Sequence, residues 1–179
     1  MNLKSVSQLA VLASLALSVT QVEAADTVAS ASASANASAT ILQPIAITAT
    51  TGLAFGAIVR PASGSSTISV SNTGTRSVTS GTAAIIGSSA ANATFSITGE
   101  GGQAISVSVP ASFSLTSGAN SLTVTTSNDM TGSASSQTLS NSLGTAGSLT
   151  VKVGGSITIS NTTASAAYTG SFTVSASYN

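Results

Sequence analysis

Apolar and polar residues alternate with period two along most of this chain, and the cleanest run is the last one, Tyr168-Thr-Gly-Ser-Phe-Thr-Val-Ser-Ala-Ser-Tyr-Asn179. Successive side chains of a strand point to opposite faces. Phe172, Val174, Ala176 and Tyr178 therefore share one face, and Ser171, Thr173, Ser175 and Ser177 the other. A terminal strand this regular, closed by a penultimate aromatic, is suited to pairing with another chain. It marks the four apolar residues as a C-terminal assembly strand. Further runs of alternating or β-branched residues predict strands at 41–49, 53–59, 67–71, 83–86, 93–98, 104–109, 112–116, 121–126, 148–153, 156–159 and 171–178. Many short strands bounded by turn residues indicate an all-β sandwich or barrel. Gly154-Gly155, between two alternating runs, predicts a two-residue hairpin, because both residues tolerate positive φ. Residues 99–102 and Asn72-Thr73-Gly74 predict further turns.

Two stretches depart from the pattern. Residues 128–147 are polar and rich in Gly and Ser, with Leu139 and Leu143 as apolar anchors, and read as a long loop or meandering edge. Residues 25–40 are an Ala/Ser alternation, read either as a flexible low-complexity leader or as an extended arm that lies along another subunit. The odd-numbered face continues from Ala37 and Ala39 into Ile41, Ile45 and Ile47, and these five are the candidate donor-strand residues. Burying a side chain of Ile size contributes roughly 1.5–3 kcal/mol and an Ala methyl much less. The isoleucines would therefore carry most of the affinity of such an arm. Pro44 falls on the opposite face and removes one ladder hydrogen bond, which suits an edge strand.

The start of the chain bears on compartment. Lys4, the apolar stretch from Leu9 to Val19 and the small-residue sequence Val22-Glu23-Ala24 predict a secretory signal peptide over 1–24. The apolar stretch falls short of the ~20 residues of a spanning helix, and no later segment comes near that length, so no membrane span is expected in the mature chain. Residues 25–179 have a length that fits one domain. Charge is scarce there: Asp26, Arg60, Arg76, Glu100, Asp129 and Lys152 are the charged side chains, and the whole chain has a formal net charge of zero. No basic surface for nucleic acid or anionic membrane is predicted. Weak charge repulsion favours association, a liability for a free monomer and tolerable in a polymer subunit. Cysteine is absent, so no disulfide framework supports the fold. Aromatic residues are 3% of the chain, which leaves Val, Ile, Leu and Ala to build the core.

The same composition narrows the chemistry. With no His and no Cys, imidazole bases, thiolate nucleophiles and the usual zinc ligand sets are excluded. Glu100 and Asp129 are the one carboxylate pair that a glycosidase reading could use. Both are expected in turns, where a carboxylate is ordinarily solvated. Asn128-Asp129 lacks the run of oxygen ligands of a calcium loop. Lys152 reads as a solvent-facing strand residue, and Arg60, before Pro61, as the end of a strand. Asn36-Ala-Ser, Asn92-Ala-Thr and Asn161-Thr-Thr match the glycosylation acceptor pattern, but in a chain so rich in Ser and Thr they carry no weight. No catalytic residue, metal site or cofactor is predicted, and an enzyme is not expected.

The order of Ile41-Leu-Gln-Pro-Ile-Ala-Ile-Thr48, Leu53-Ala-Phe-Gly-Ala-Ile-Val59, Val153-Gly-Gly-Ser-Ile-Thr-Ile159 and the closing segment 168–178 resembles a family of secreted bacterial domains of unassigned function. That family is similar to pilin subunits of the chaperone–usher class, in particular the spore-coat-U-like and Mat common-pilus branches. The resemblance covers nearly all of the mature chain, residues 25–179. It implies an immunoglobulin-like sandwich of six or seven strands that lacks its final strand. It also implies a periplasmic chaperone that lends a strand, an outer-membrane usher, and replacement of the lent strand by the N-terminal arm of the next subunit. Phe172, Val174, Ala176 and Tyr178 would then meet the chaperone first. Ile41, Ile45 and Ile47, with Ala37 and Ala39, would be the donor knobs. The expected function is a structural subunit of a pilus or fimbria-like filament at the cell surface, exported through the periplasm, with other copies of itself as partners. The alternatives are a self-complemented surface or matrix sandwich and a carbohydrate-binding adhesin module.

Overall fold

The computed structural model describes residues 30–131 and 136–179. The expected signal peptide, 1–24, lies outside the described residues. The chain divides into two units, Met1–Ala39 and Thr40–Asn179. In the first unit, residues 30–39 are exposed and carry neither helix nor strand.

The second unit is all-β, with antiparallel strands consistent with an immunoglobulin-like sandwich. Its strands are β1 (Ala46–Thr51), β2 (Ala57–Val59), β3 (Ser65–Val70), β4 (Arg76–Ser80), β5 (Ala84–Ile86) and β6 (Ala93–Glu100). They continue with β7 (Ala104–Ser108), β8 (Ser112–Ser117), β9 (Asn120–Asn128), β10 (Gln137–Thr138), β11 (Ala146–Ser160) and β12 (Ser175–Tyr178). The larger sheet runs β1-β6-β11-β3-β4, with β9 also on β11 and β8 on β9. A smaller sheet runs β10-β7-β12, and β2 and β5 form a separate two-stranded ribbon.

One strand organises the larger sheet. Val153 of β11 pairs with both Ala93 and Asn128, so β6 and β9 lie on its opposite edges. Gly155 to Ile157 pair with β3 and β9 together, so β3 follows β6 along the same edge. The two glycines expected to form a hairpin are instead in the middle of this strand. A Cβ on Gly155 would lie 2.9 Å from Val124 Cγ1, and one on Gly154 would run into the Val70 carbonyl oxygen. Glycine serves here for close approach of neighbouring backbone, not for a turn. The turn expected at 99–102 does form, with Gly102 at φ 71°, as does the one ending at Gly74, φ 84°.

Alternation along β6 and β11 sends Ile97, Phe95, Val151 and Val153 into one core with Ile105, Val107, Leu139 and Val174. Ile68, Val70, Phe55, Val124, Ile157 and Ile159 form a second. The opposite faces carry Ser and Thr: Thr48, Ser96 and Thr150 stand in one register row. Arg76 ties the ribbon down. Its Nη1 donates to the carbonyls of Phe55 and Ala57, and its Nη2 to those of Gly87 (2.6 Å) and Ile86 (3.1 Å).

Candidate assembly site at the chain termini

Both ends of the sandwich chain are edge strands. β1 is the outermost strand of the larger sheet and β12 of the smaller. In β1, Ile47 pairs with Ile97 and Ala49 with Phe95. Directly opposed residues share a face, so Ile47 and Ala49 look toward the core side. Yet all six residues of β1 are exposed, and Ile47 keeps 38% of its surface. Ile45, just ahead of the strand, is half-buried and packs on the first core.

The other donor candidates lie differently. Ile41 is 87% exposed. Ala37 and Ala39 belong to the exposed stretch of the first unit. The five residues of the expected donor face are therefore not one continuous strand. Only Ile47 is in a ladder, and that ladder is with β6 of its own chain.

At the C-terminus the period-two pattern holds residue by residue. Phe172, Val174, Ala176 and Tyr178 are buried or half-buried, while Ser171, Thr173, Ser175 and Ser177 are exposed. The ladder itself covers only β12, where Ala176 faces Val107 and Tyr178 faces Ile105 of β7. Phe172 lies ahead of it, edge-on to Phe95 at 5.7 Å between ring centroids and stacked on Phe113 at 4.7 Å. It closes one side of a groove of about 340 Å³, whose other apolar walls are Ala49, Leu53, Ala93, Phe95, Phe113 and Leu115.

The two termini meet at Glu100. This carboxylate, expected to be solvated in a turn, ends β6 and is 2% exposed. Its Oε2 accepts from the Gln43 N–H at 3.2 Å, and its Oε1 accepts from the Gly144 N–H. The Tyr178 hydroxyl donates to the Gln43 carbonyl at 2.8 Å and accepts from the Glu100 N–H at 2.6 Å. Gly99 makes room for it, since a Cβ there would collide with the Tyr178 hydroxyl. Both backbone groups of Gln43 are thus held by side chains, one from the end of β6 and one from β12. Sequence reasoning missed Gln43, and singled out Glu100 only as a solvated turn carboxylate or half of a glycosidase pair. The available signal was rarity, an acid standing between Gly99 and Gly101 in a chain with so little charge.

The second carboxylate is elsewhere. Asp129 Oδ1 accepts from the Lys152 N–H at 2.7 Å, whereas Glu100 pairs in register with Ala146. Six residues of strand separate those positions, on the order of 20 Å at ~3.3 Å per residue. A glycosidase pair needs about 5–9.5 Å, so Glu100 and Asp129 do not form one.

The fold and its termini define a class: an all-β domain whose N- and C-terminal strands are neighbouring sheet edges, cross-tied by side chains. Residues 45–178 match the family described as a domain of unknown function, DUF4402, and the chain belongs to that family. The matched span begins at Ile45 and ends at Tyr178, so it takes in both edge strands. No curated protein and no solved structure matches the chain.

Proposed function

We propose that the protein is a structural subunit of an extracellular, fimbria-like filament whose copies are joined by exchange of an N-terminal strand. The observation that supports this most is β1, an edge strand near the N-terminus that presents Ile47 to the core side while every residue of it stays exposed. A strand held so lightly is a separable unit, and strand addition at a sheet edge is an established way to join chains. The charge-poor surface favours association between copies. In this reading the chain passes through the periplasm, a chaperone covers its open edge, and an outer-membrane usher receives it. Electron microscopy of material sheared from producing cells, with a denaturation-sensitive gel, tests it. Thin fibres and ladders that survive mild detergent but collapse on boiling are expected. A single monomer band without fibres refutes it.

One observation favours a second reading. β1 pairs with β6 of its own chain, and Gln43 is tied at both its backbone groups. A self-completed sandwich of a surface layer or matrix would have that arrangement, and would give the monomer band.

A further inference from the structure

Exchange of Ile45 and Ile47 requires that they first leave their own subunit, and little holds them there. Among the described residues no strand pairs with the outer edge of β1, its residues are exposed, and a Cβ on Gly52, which follows it, would meet no atom within 4 Å. Among the described residues its anchorage is the ladder to β6, the packing of Ile45 and, at the far end of the strand, the Thr50 and Thr51 hydroxyls on the Thr94 and Asn92 carbonyls. At its near end the anchorage is the pair of side chains on Gln43. We propose that Glu100 and Tyr178 form a latch on Gln43 that keeps β1 on its own subunit, and that opening the latch lets β1 move into the same position on a second copy. This rests on the reading of the chain as an assembling subunit.

The occupant follows from identity. The position β1 leaves behind on β6 is already matched, residue by residue, to Ala46↔Thr98, Ile47↔Ile97 and Thr48↔Ser96. The segment with that pattern in another copy is its own β1, and exchange of identical elements between protomers adds no new interface chemistry. The latch is built to be released without disturbing the core. The Gln43 side of it is exposed, so its N–H and C=O pass to water when it opens. Glu100 Oε1 keeps the Gly144 N–H and Tyr178 keeps the Glu100 backbone N–H, while Glu100 Oε2 gives up the Gln43 N–H.

The absence of cysteine makes a clean test possible. Thr48→Cys and Ser96→Cys place a single thiol pair on the outward face of β1 and β6, in register. The full chain carrying both is allowed to assemble, closed with a short bismaleimide, and run on a boiled denaturing gel. Cross-links between chains are expected, and Tyr178→Phe is expected to raise the rate at which they appear by about tenfold through loss of its hydrogen bonds. Gln43→Pro, which removes the N–H given to Glu100 and also fixes φ at this exposed site, is the second variant and should act in the same direction. Fibres whose cross-links all lie within single chains overturn the swap but leave the filament reading standing. Cross-linked closed dimers without fibres support the swap and overturn the filament. Monomer with only intrachain cross-links overturns both. Unchanged rates in both latch variants overturn the latch.

Discussion

Replacing Phe172 with Ala tests how firmly the C-terminal segment is built into the sandwich. Truncating a fully buried Phe costs about 3–5 kcal/mol. Phe172 is half-buried, which brings the burial part to about 2 kcal/mol. Its edge-on contact with Phe95 and its stack on Phe113 are each worth about 0.5–1.5 kcal/mol beyond area. The loss should therefore be about 3–5 kcal/mol, or a fall in Tm on the order of 10–20 °C for a domain of this size. Thr173→Ala, one residue on and on the exposed face, should stay within about 0.5 kcal/mol. Urea titration followed by circular dichroism reads both as midpoint shifts at constant slope. If Phe172→Ala unfolds at the wild-type midpoint, or Thr173→Ala costs as much, the face assignment of the terminal strand is wrong.

Glu100→Ala should cost about 1–3 kcal/mol, because the Gly144 and Gln43 N–H groups lose their shared acceptor. Asp129→Asn, which keeps an acceptor for the Lys152 N–H, should fall within about 0.5 kcal/mol, and equal urea midpoints for the two would contradict the burial of Glu100. Arg76→Met should release the β2–β5 ribbon, so that hydrogen exchange at Ile58 and Ile85 speeds up while β11 keeps its protection; uniform change across the chain would speak against a local clamp. Gly155→Val should destabilise by about 1–3 kcal/mol through overpacking against Val124 and Leu53, and a neutral result in thermal unfolding would restore a turn at that position.

Period two carried most of the fold. The runs at 104–109, 112–116 and 121–126 correspond to β7, β8 and β9, because each has apolar residues at every second position. β4 escaped notice because Val78 is its one apolar side chain, and β10 because two residues hold no pattern. The reading failed outright at Gly154-Gly155. A glycine pair is the same letters whether it turns or makes room for a neighbouring strand, and the choice depends on β3 and β9, which are remote in sequence. Of the terminal site, the inward face from Phe172 to Tyr178 could be read directly. The Gln43 ties could not, since they join positions 57 and 135 residues apart through one carboxylate and one hydroxyl.

The long strand β11 has a consequence for the order in which the molecule can form. Val151 and Val153 belong to one core, and Ile157 and Ile159 to the other. Neither core can close until this late stretch of the chain exists, whatever local hairpins have formed earlier. Contacts of such sequence separation make folding slow, because chain closure must precede the burial that rewards it. A growing chain of this kind is therefore unfinished throughout most of its synthesis, with its strand edges and apolar faces open. The same feature that gives the finished sandwich a common spine leaves its precursor soft for as long as residues 146–160 are missing.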